Sequence, residues 1–185
     1  EHAAYFRTDV SNELQVAENM RAAHAFMGSI NTAVNCAGIL GAGRVLGREA
    51  SMPLEQFSNT IKVNLIGSFN IAKAAADLMQ HNATGEDGER GVIINTASVA
   101  AFDGQIGQAA YSASKGALAT LTKNVAHAVR FDRIRVNGIN MGWADTPGGK
   151  KDMPADDLAK AREELRTDMV GLMREPGAFT FQALE

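Results

Sequence analysis

The chain has 185 residues, 45% of them hydrophobic, with 18 basic and 21 acidic side chains and a formal net charge of −3. That length suits one domain able to bury a core without staples, and the mixed charge offers no basic stripe for nucleic acid or anionic lipid. No run reaches the roughly 18 apolar residues of a bilayer span, so neither nucleic acid nor a membrane is an expected partner.

The opening Glu-His-Ala-Ala-Tyr-Phe-Arg lacks a signal-peptide layout. With Cys36 as the single cysteine, no intrachain disulfide can form and a reducing compartment, the cytoplasm, is expected. His2, His24, His81 and His127 are scattered without metal-ligand spacing, so no metal is expected.

Short apolar runs alternate with longer helical patterns, the signature of an α/β fold around a parallel sheet, read as a single domain over residues 1–185. The first run is Ala3 to Arg7, after which Ser11 can cap a helix carrying Leu14, Val16, Met20 and Ala23. A second run, Ile30 to Asn35, leads into Cys36-Ala37-Gly38 and a glycine-rich stretch. Within that stretch, Gly41-Ala42-Gly43-Arg44-Val45-Leu46-Gly47 is one residue longer than the dinucleotide fingerprint, with no acidic residue at the expected distance beyond it. It reads as a flexible loop, and Cys36 as a small core residue.

A long helical pattern then opens at Ser51 and Pro53, with Phe57, Ile61, Leu65, Ser68, Ala72 and Ala75 on one face, and stops near a polar turn at His81 to Arg90. Val92-Ile93-Ile94 reads as a central strand covered on both faces. A helix is expected from Tyr111 to about Arg130, then a strand from Ile134 to Ile139. Asp152 to Arg174 forms a charged helical pattern that Glu175-Pro176-Gly177 breaks.

Tyr111 and Lys115 stand four residues apart on the expected helix, so their side chains share a face. A tyrosine hydroxyl ordinarily titrates near about 10, and a neighbouring ammonium favours its phenolate, which suits proton exchange near neutral pH. Ser98 follows the buried strand, where parallel strands open onto a ligand crevice, and its hydroxyl is placed to bond a substrate carbonyl. Tyr-x-x-x-Lys alone also describes an ordinary surface pair on a helix; its context decides.

Several ordered segments supply that context. Asn35-Cys36-Ala37-Gly38, Asn64 within Val63-Asn64-Leu65-Ile66-Gly67, Ile94-Asn95-Thr96-Ala97-Ser98, Tyr111-Ser112-Ala113-Ser114-Lys115-Gly116, and Arg135-Val136-Asn137 with Thr146-Pro147 occur in that order. Together they resemble the short-chain dehydrogenase/reductase family. The stretch Gly91 to Gly116 is similar to mitochondrial short-chain 3-hydroxyacyl-CoA and hydroxysteroid dehydrogenases, for which a mitochondrial matrix location would follow.

The resemblance implies a Rossmann-like, doubly wound, three-layer sheet and NAD- or NADP-dependent interconversion of a small-molecule secondary alcohol and a ketone. It makes Tyr111 the general acid/base and Lys115 its electrostatic partner and a ligand of the nicotinamide ribose. Ser98 orients the substrate oxygen, while Asn64 loosens its helix and holds a proton-relaying water. Asp9 and Val10 would touch the adenine, Asn35, Ala37 and Gly38 would line the cofactor, and Gly142 and Thr146 would meet the nicotinamide. Trp143 falls where the substrate loop begins. The helices starting at Ser51 and Tyr111 would form the contacts of a homotetramer or homodimer.

Departures from the family pattern are specific. The Thr-Gly-x-x-x-Gly-x-Gly phosphate loop is absent, the chain reads as beginning at the third strand, and no final strand is found after Glu175. Met141-Gly142 stands where Pro-Gly is usual. Removing a central strand would expose apolar faces and edges, so the chain is expected to be part of an intact enzyme. The alternatives are a catalytically silent or truncated scaffold, separable by titration with NADH and NADPH, and the epimerase/dehydratase branch, which Asn35 to Gly38 fits less well.

Overall fold

The computed structural model describes residues 3–142. Within the compact unit Glu1–Asn140, helices α1 (Glu13–Met27), α2 (Leu54–Ile61), α3 (Ser68–Met79) and α4 (Ala109–Val129) accompany strands β1 (Thr32–Asn35), β2 (Gly91–Ser98) and β3 (Ile134–Met141). The sheet order is β1-β2-β3. β1 runs parallel to β2, pairing Thr32 with Val92 and Asn35 with Asn95. Trp143, Thr146, Pro147 and the helical pattern Asp152 to Arg174 lie outside the described residues.

The core forms on one face of the sheet. Ala33, Ile93, Ile134 and Val136 meet Ala72, Ala75 and Met79 of α3, with Met20 and Ala23 of α1 and Val125, Ala126 and Val129 of α4 packed around them. Ile93 is fully buried, whereas Val92 and Ile94, which point the other way, are half-buried. Among the described residues the helices pack on the Ile93 face.

Two further expectations change near the start. Ala3 to Arg7 is not a strand, because it has no ladder partner among the described residues. It is tied instead to α1, where Asn19 Nδ2 donates to the Arg7 carbonyl at 3.0 Å and the Thr8 hydroxyl at 2.8 Å. The cap of α1 is Asn12, whose Oδ1 accepts from Gln15 N at 3.1 Å. Ser11 is occupied elsewhere, bonding the Asp9 carboxylate through both its N–H and its hydroxyl. Of the apolar residues expected on α1, Val16 is buried and Leu14 is exposed.

The long helix expected from Ser51 is interrupted. Lys62–Gly67 is π-helical, between α2 and α3. A π turn holds more residues than an α turn, so it rotates the upstream helix face relative to the downstream one. Phe57, Ile61 and Leu65 are consequently half-buried, while Thr60 and Asn64 take the inward positions that continue into Ser68, Ala72 and Ala75.

The glycine stretch is anchored. Gly43 N donates to Gly107 O at 2.8 Å, Gln56 Nε2 to Ala42 O at 2.7 Å, and Met52 N to Val45 O at 3.2 Å. Gly41 has φ 55°, and a Cβ there would lie 1.9 Å from the Thr60 hydroxyl, so close packing on α2 demands glycine. The polar turn at His81 to Arg90 is likewise held in place. Arg90 Nη1 donates to the Gln80 and Asn82 carbonyls, and Glu89 pairs with Arg135 at 2.6 Å.

Candidate active site

Three elements supply the site: β2 carries Ser98, α4 carries Tyr111 and Lys115, and the π-helical segment carries Asn64. β2 carries Ser98 to its last position, in extended backbone at φ −158°, where the side chain caps a short 3-10 turn, Val99–Ala101. Ser98 Oγ accepts from Ala100 N at 3.2 Å. That turn packs on α4 closely enough that a Cβ at Gly116 would stand 3.3 Å from the Ala101 carbonyl. Ser98 is thus locked to the helix that carries Tyr111 and Lys115.

On α4 the spacing places Tyr111, Ser114 and Lys115 on one side. Lys115 is 4% exposed. Its Nζ donates to the Thr96 carbonyl at 2.6 Å and stands 5.7 Å from the centroid of the Tyr111 ring. Burial pushes the ammonium's pKa below its ordinary value, an effect that Cys36 partly opposes. The site thus keeps a partly desolvated cation behind the phenol, where its field is weakly screened.

Asn64 lies in the π-helical segment and is fully buried. Its Oδ1 accepts from Ile39 N at 2.8 Å, while Nδ2 donates to Ile39 O and to Ser114 Oγ, each at 2.9 Å. The Asn64 carbonyl accepts the Ser68 hydroxyl at 2.8 Å. A Cβ on Gly38 would stand 3.4 Å from Asn64 Oδ1 and 3.7 Å from Lys115 Nζ, so Gly38 packs directly beside both polar atoms. The structure therefore gathers Gly38, Asn64 and Lys115 around one point beside Tyr111.

The remaining expected residues are placed less centrally. Asn35 is buried, its amide donating to Asn95 Oδ1 at 2.7 Å and Ser68 O at 3.3 Å, so it supports the strand end and directs no side chain outward. Asn95 in turn donates to Thr122 Oγ1 at 2.9 Å. Ala37 and Gly38 are exposed. Cys36 is also exposed, correcting its expected place in the core: the chain has already passed the end of β1.

Asp9 is exposed, and its bonds from Ser11 hold its carboxylate below the usual range. Val10 is half-buried, with its carbonyl accepting from Asn70 Nδ2 at 3.0 Å. Gly142 is exposed at the limit of the described residues. Two contributors were not singled out from the residue pattern. The Thr96 carbonyl is a backbone atom, and Ser114 stood inside the matching segment without an assigned task; its i+3 spacing from Tyr111 was the available clue.

Comparison with known proteins bears on the family and the fold. A family model described as short chain dehydrogenase matches residues 1–157. The 3-hydroxyacyl-CoA dehydrogenase type-2 of Bos taurus is 44% identical over 146 residues, covering 78% of this chain and 56% of that protein. The protein of the same name from Homo sapiens is 44% identical over 141 residues, covering 75% and 54%. The chain thus spans about half the length of these curated relatives.

Among solved structures, a 3-hydroxyacyl-CoA dehydrogenase type-2 from Mycobacterium avium superposes with a TM-score of 0.74 at 34% identity, over 83% of this chain and 60% of that one. An NAD+-bound xylitol dehydrogenase gives a TM-score of 0.69 at 29% identity, over 79% and 53%. The fold is accordingly Rossmann-like α/β. With most of its length matched by the family model and its tyrosine, lysine, serine and asparagine gathered at one strand edge, the chain belongs to the short-chain dehydrogenase family.

Proposed function

We propose that the chain carries the proton-handling part of an NAD- or NADP-dependent oxidoreductase that interconverts a secondary alcohol and a ketone. The observation that carries this reading is the buried Lys115 ammonium, fixed on the Thr96 carbonyl behind the Tyr111 ring. Tyr111 gives its phenolic proton to the substrate oxygen in reduction and takes one back in oxidation. Lys115 stabilises the negative charge that develops on the phenolic oxygen. Ser98, whose oxygen already accepts from Ala100 N, turns its hydroxyl proton toward the substrate oxygen.

The residues fit a nicotinamide cofactor at its ribose end. Lys115 Nζ has donors beyond the one given to Thr96, and the exposed Gly38 lies beside it. The cofactor supplies or accepts the hydride when bound. Tyr111, Lys115, Ala37 and Gly38 would hold its nicotinamide half, together with Gly142 and Thr146, while Asp9 and Val10 would face the adenine. The relatives' names favour a 3-hydroxyacyl thioester as the alcohol.

Tyr111→Phe in the full-length protein is expected to lower kcat by about 10²–10⁴-fold with the fold intact. Turnover within threefold of wild type would remove Tyr111 from the reaction.

An assembly of identical subunits completes the proposal. Leu65, Ile66, Phe69, Gly116, Ala117 and Leu121 line an open apolar depression of about 680 Å³ between the π-helical segment, α3 and α4. Ile66 and Phe69 are 45% and 43% exposed there. An apolar patch of this kind suits a second copy of the chain, in a homodimer or homotetramer.

A further inference from the structure

We infer that Ser114 is a positioning residue that fixes the Asn64 amide and couples the loop after β1 to the helical turn bearing Tyr111. Its effect on turnover rests on the oxidoreductase reading above; its structural part does not. Asn64 cannot flip without setting its NH2 against Ile39 N–H and its oxygen against Ile39 O, so the two Ile39 bonds define its orientation. One Nδ2 proton then points at Ser114 Oγ, 2.9 Å away.

Ser114 is fully buried, and its single hydroxyl proton is committed to the Tyr111 carbonyl at 2.7 Å. Its oxygen is therefore left to accept, and the donors run in one direction: Asn64 to Ser114 to Tyr111. Such a chain has its members polarise one another and leaves no spare acceptor for Asn64 if Ser114 is removed. Ile39 adjoins Gly38, so the same clamp sets the gap between this loop and the Lys115 ammonium. The sequence places Ser114 directly before Lys115 and three residues after Tyr111.

The test uses the full-length protein with Ser114→Ala, Ser114→Thr, Asn64→Ala and the double variant of Asn64→Ala with Ser114→Ala. Ser114→Ala is expected to lower kcat about tenfold to a hundredfold, the kinetic equivalent of one unsatisfied buried donor, with the alcohol's KM within about twofold. Ser114→Thr, which keeps a hydroxyl able to reach the carbonyl of residue 111, restores most of it. In the Asn64→Ala background, Ser114→Ala adds no further loss. Losses that multiply in the double variant, or a Ser114→Ala kcat within twofold of wild type, overturn the proposal.

Hydrogen exchange of the Asn64 side-chain amide, followed by nitrogen-15 NMR, probes the clamp independently of turnover. Exchange in Ser114→Ala is expected to be at least about tenfold faster than in wild type and slow again in Ser114→Thr. Unchanged exchange overturns the clamp even in a protein that turns over no alcohol. Fast exchange without turnover keeps the clamp and refutes the oxidoreductase reading alone.

Discussion

The edge where β2 meets α4 and the segment from Ala3 to Val10 are both places where the family resemblance puts functional residues, yet they are built differently. At the first, Asn64, Ser114 and Lys115 are buried and joined by hydrogen bonds of 2.6–2.9 Å to Ile39, Tyr111 and Thr96. At the second, Asp9 and Tyr5 are exposed, and the backbone is held by the Asn19 and Asn70 side chains in place of a strand ladder. The difference follows from where the partners lie. α4, β2 and the π-helical segment find one another within the described residues, whereas an extended segment without a neighbouring strand can only lean on the helix that follows it.

That contrast can be broken in order of effect. Ile93→Ala, at the centre of the buried face, is expected to cost about 2–5 kcal/mol, measured by chemical denaturation. A loss below about 1 kcal/mol would mean that the sheet face is not the core.

Lys115→Met should act in the opposite direction. The buried ammonium has a lowered pKa, so between that value and its ordinary one the unfolded chain binds more protons than the folded one, and stability rises with pH through that window. Below the window, charging in the folded protein carries its full cost. The variant is therefore expected to melt higher than wild type at neutral pH, with the gap closing as pH climbs toward the usual lysine range. A gap that widens with pH would show that the Thr96 bond outweighs burial.

The smallest effect belongs to the N-terminal segment. Asn19→Ala releases Arg7 and Thr8 from α1 and should cost below about 1 kcal/mol, since these bonds lie at or near the surface. Amide exchange confined to the first ten or so residues would accompany it; exchange spreading into β1 would show that this segment and the sheet form one cooperative unit.

Much of this arrangement was legible in the residues. The pattern placed β2, α4 and β3, and the Tyr-x-x-x-Lys spacing put Tyr111 and Lys115 on one helical face. The legible features were those with a period or a fixed spacing, because local geometry alone dictates which side chains coincide. The illegible ones depended on a partner far along the chain. The break at Lys62–Gly67 shifts the inward face from Phe57 and Ile61 to Thr60 and Asn64, and no period reveals it. The glycine stretch is held only because Gly107 and Gln56 come to meet it.

The sequence by itself determined the α/β class, the family and the candidates proposed for proton handling, since these are carried by short ordered segments whose chemistry is local. Only the tertiary structure decided that Lys115 is buried against the Thr96 carbonyl, that Cys36 is exposed, and that Asn64 is clamped between Ile39 and Ser114. The physical reason is that burial and hydrogen-bond satisfaction belong to pairs of distant residues. They exist only once β1, the π-helical segment and α4 have packed against one another.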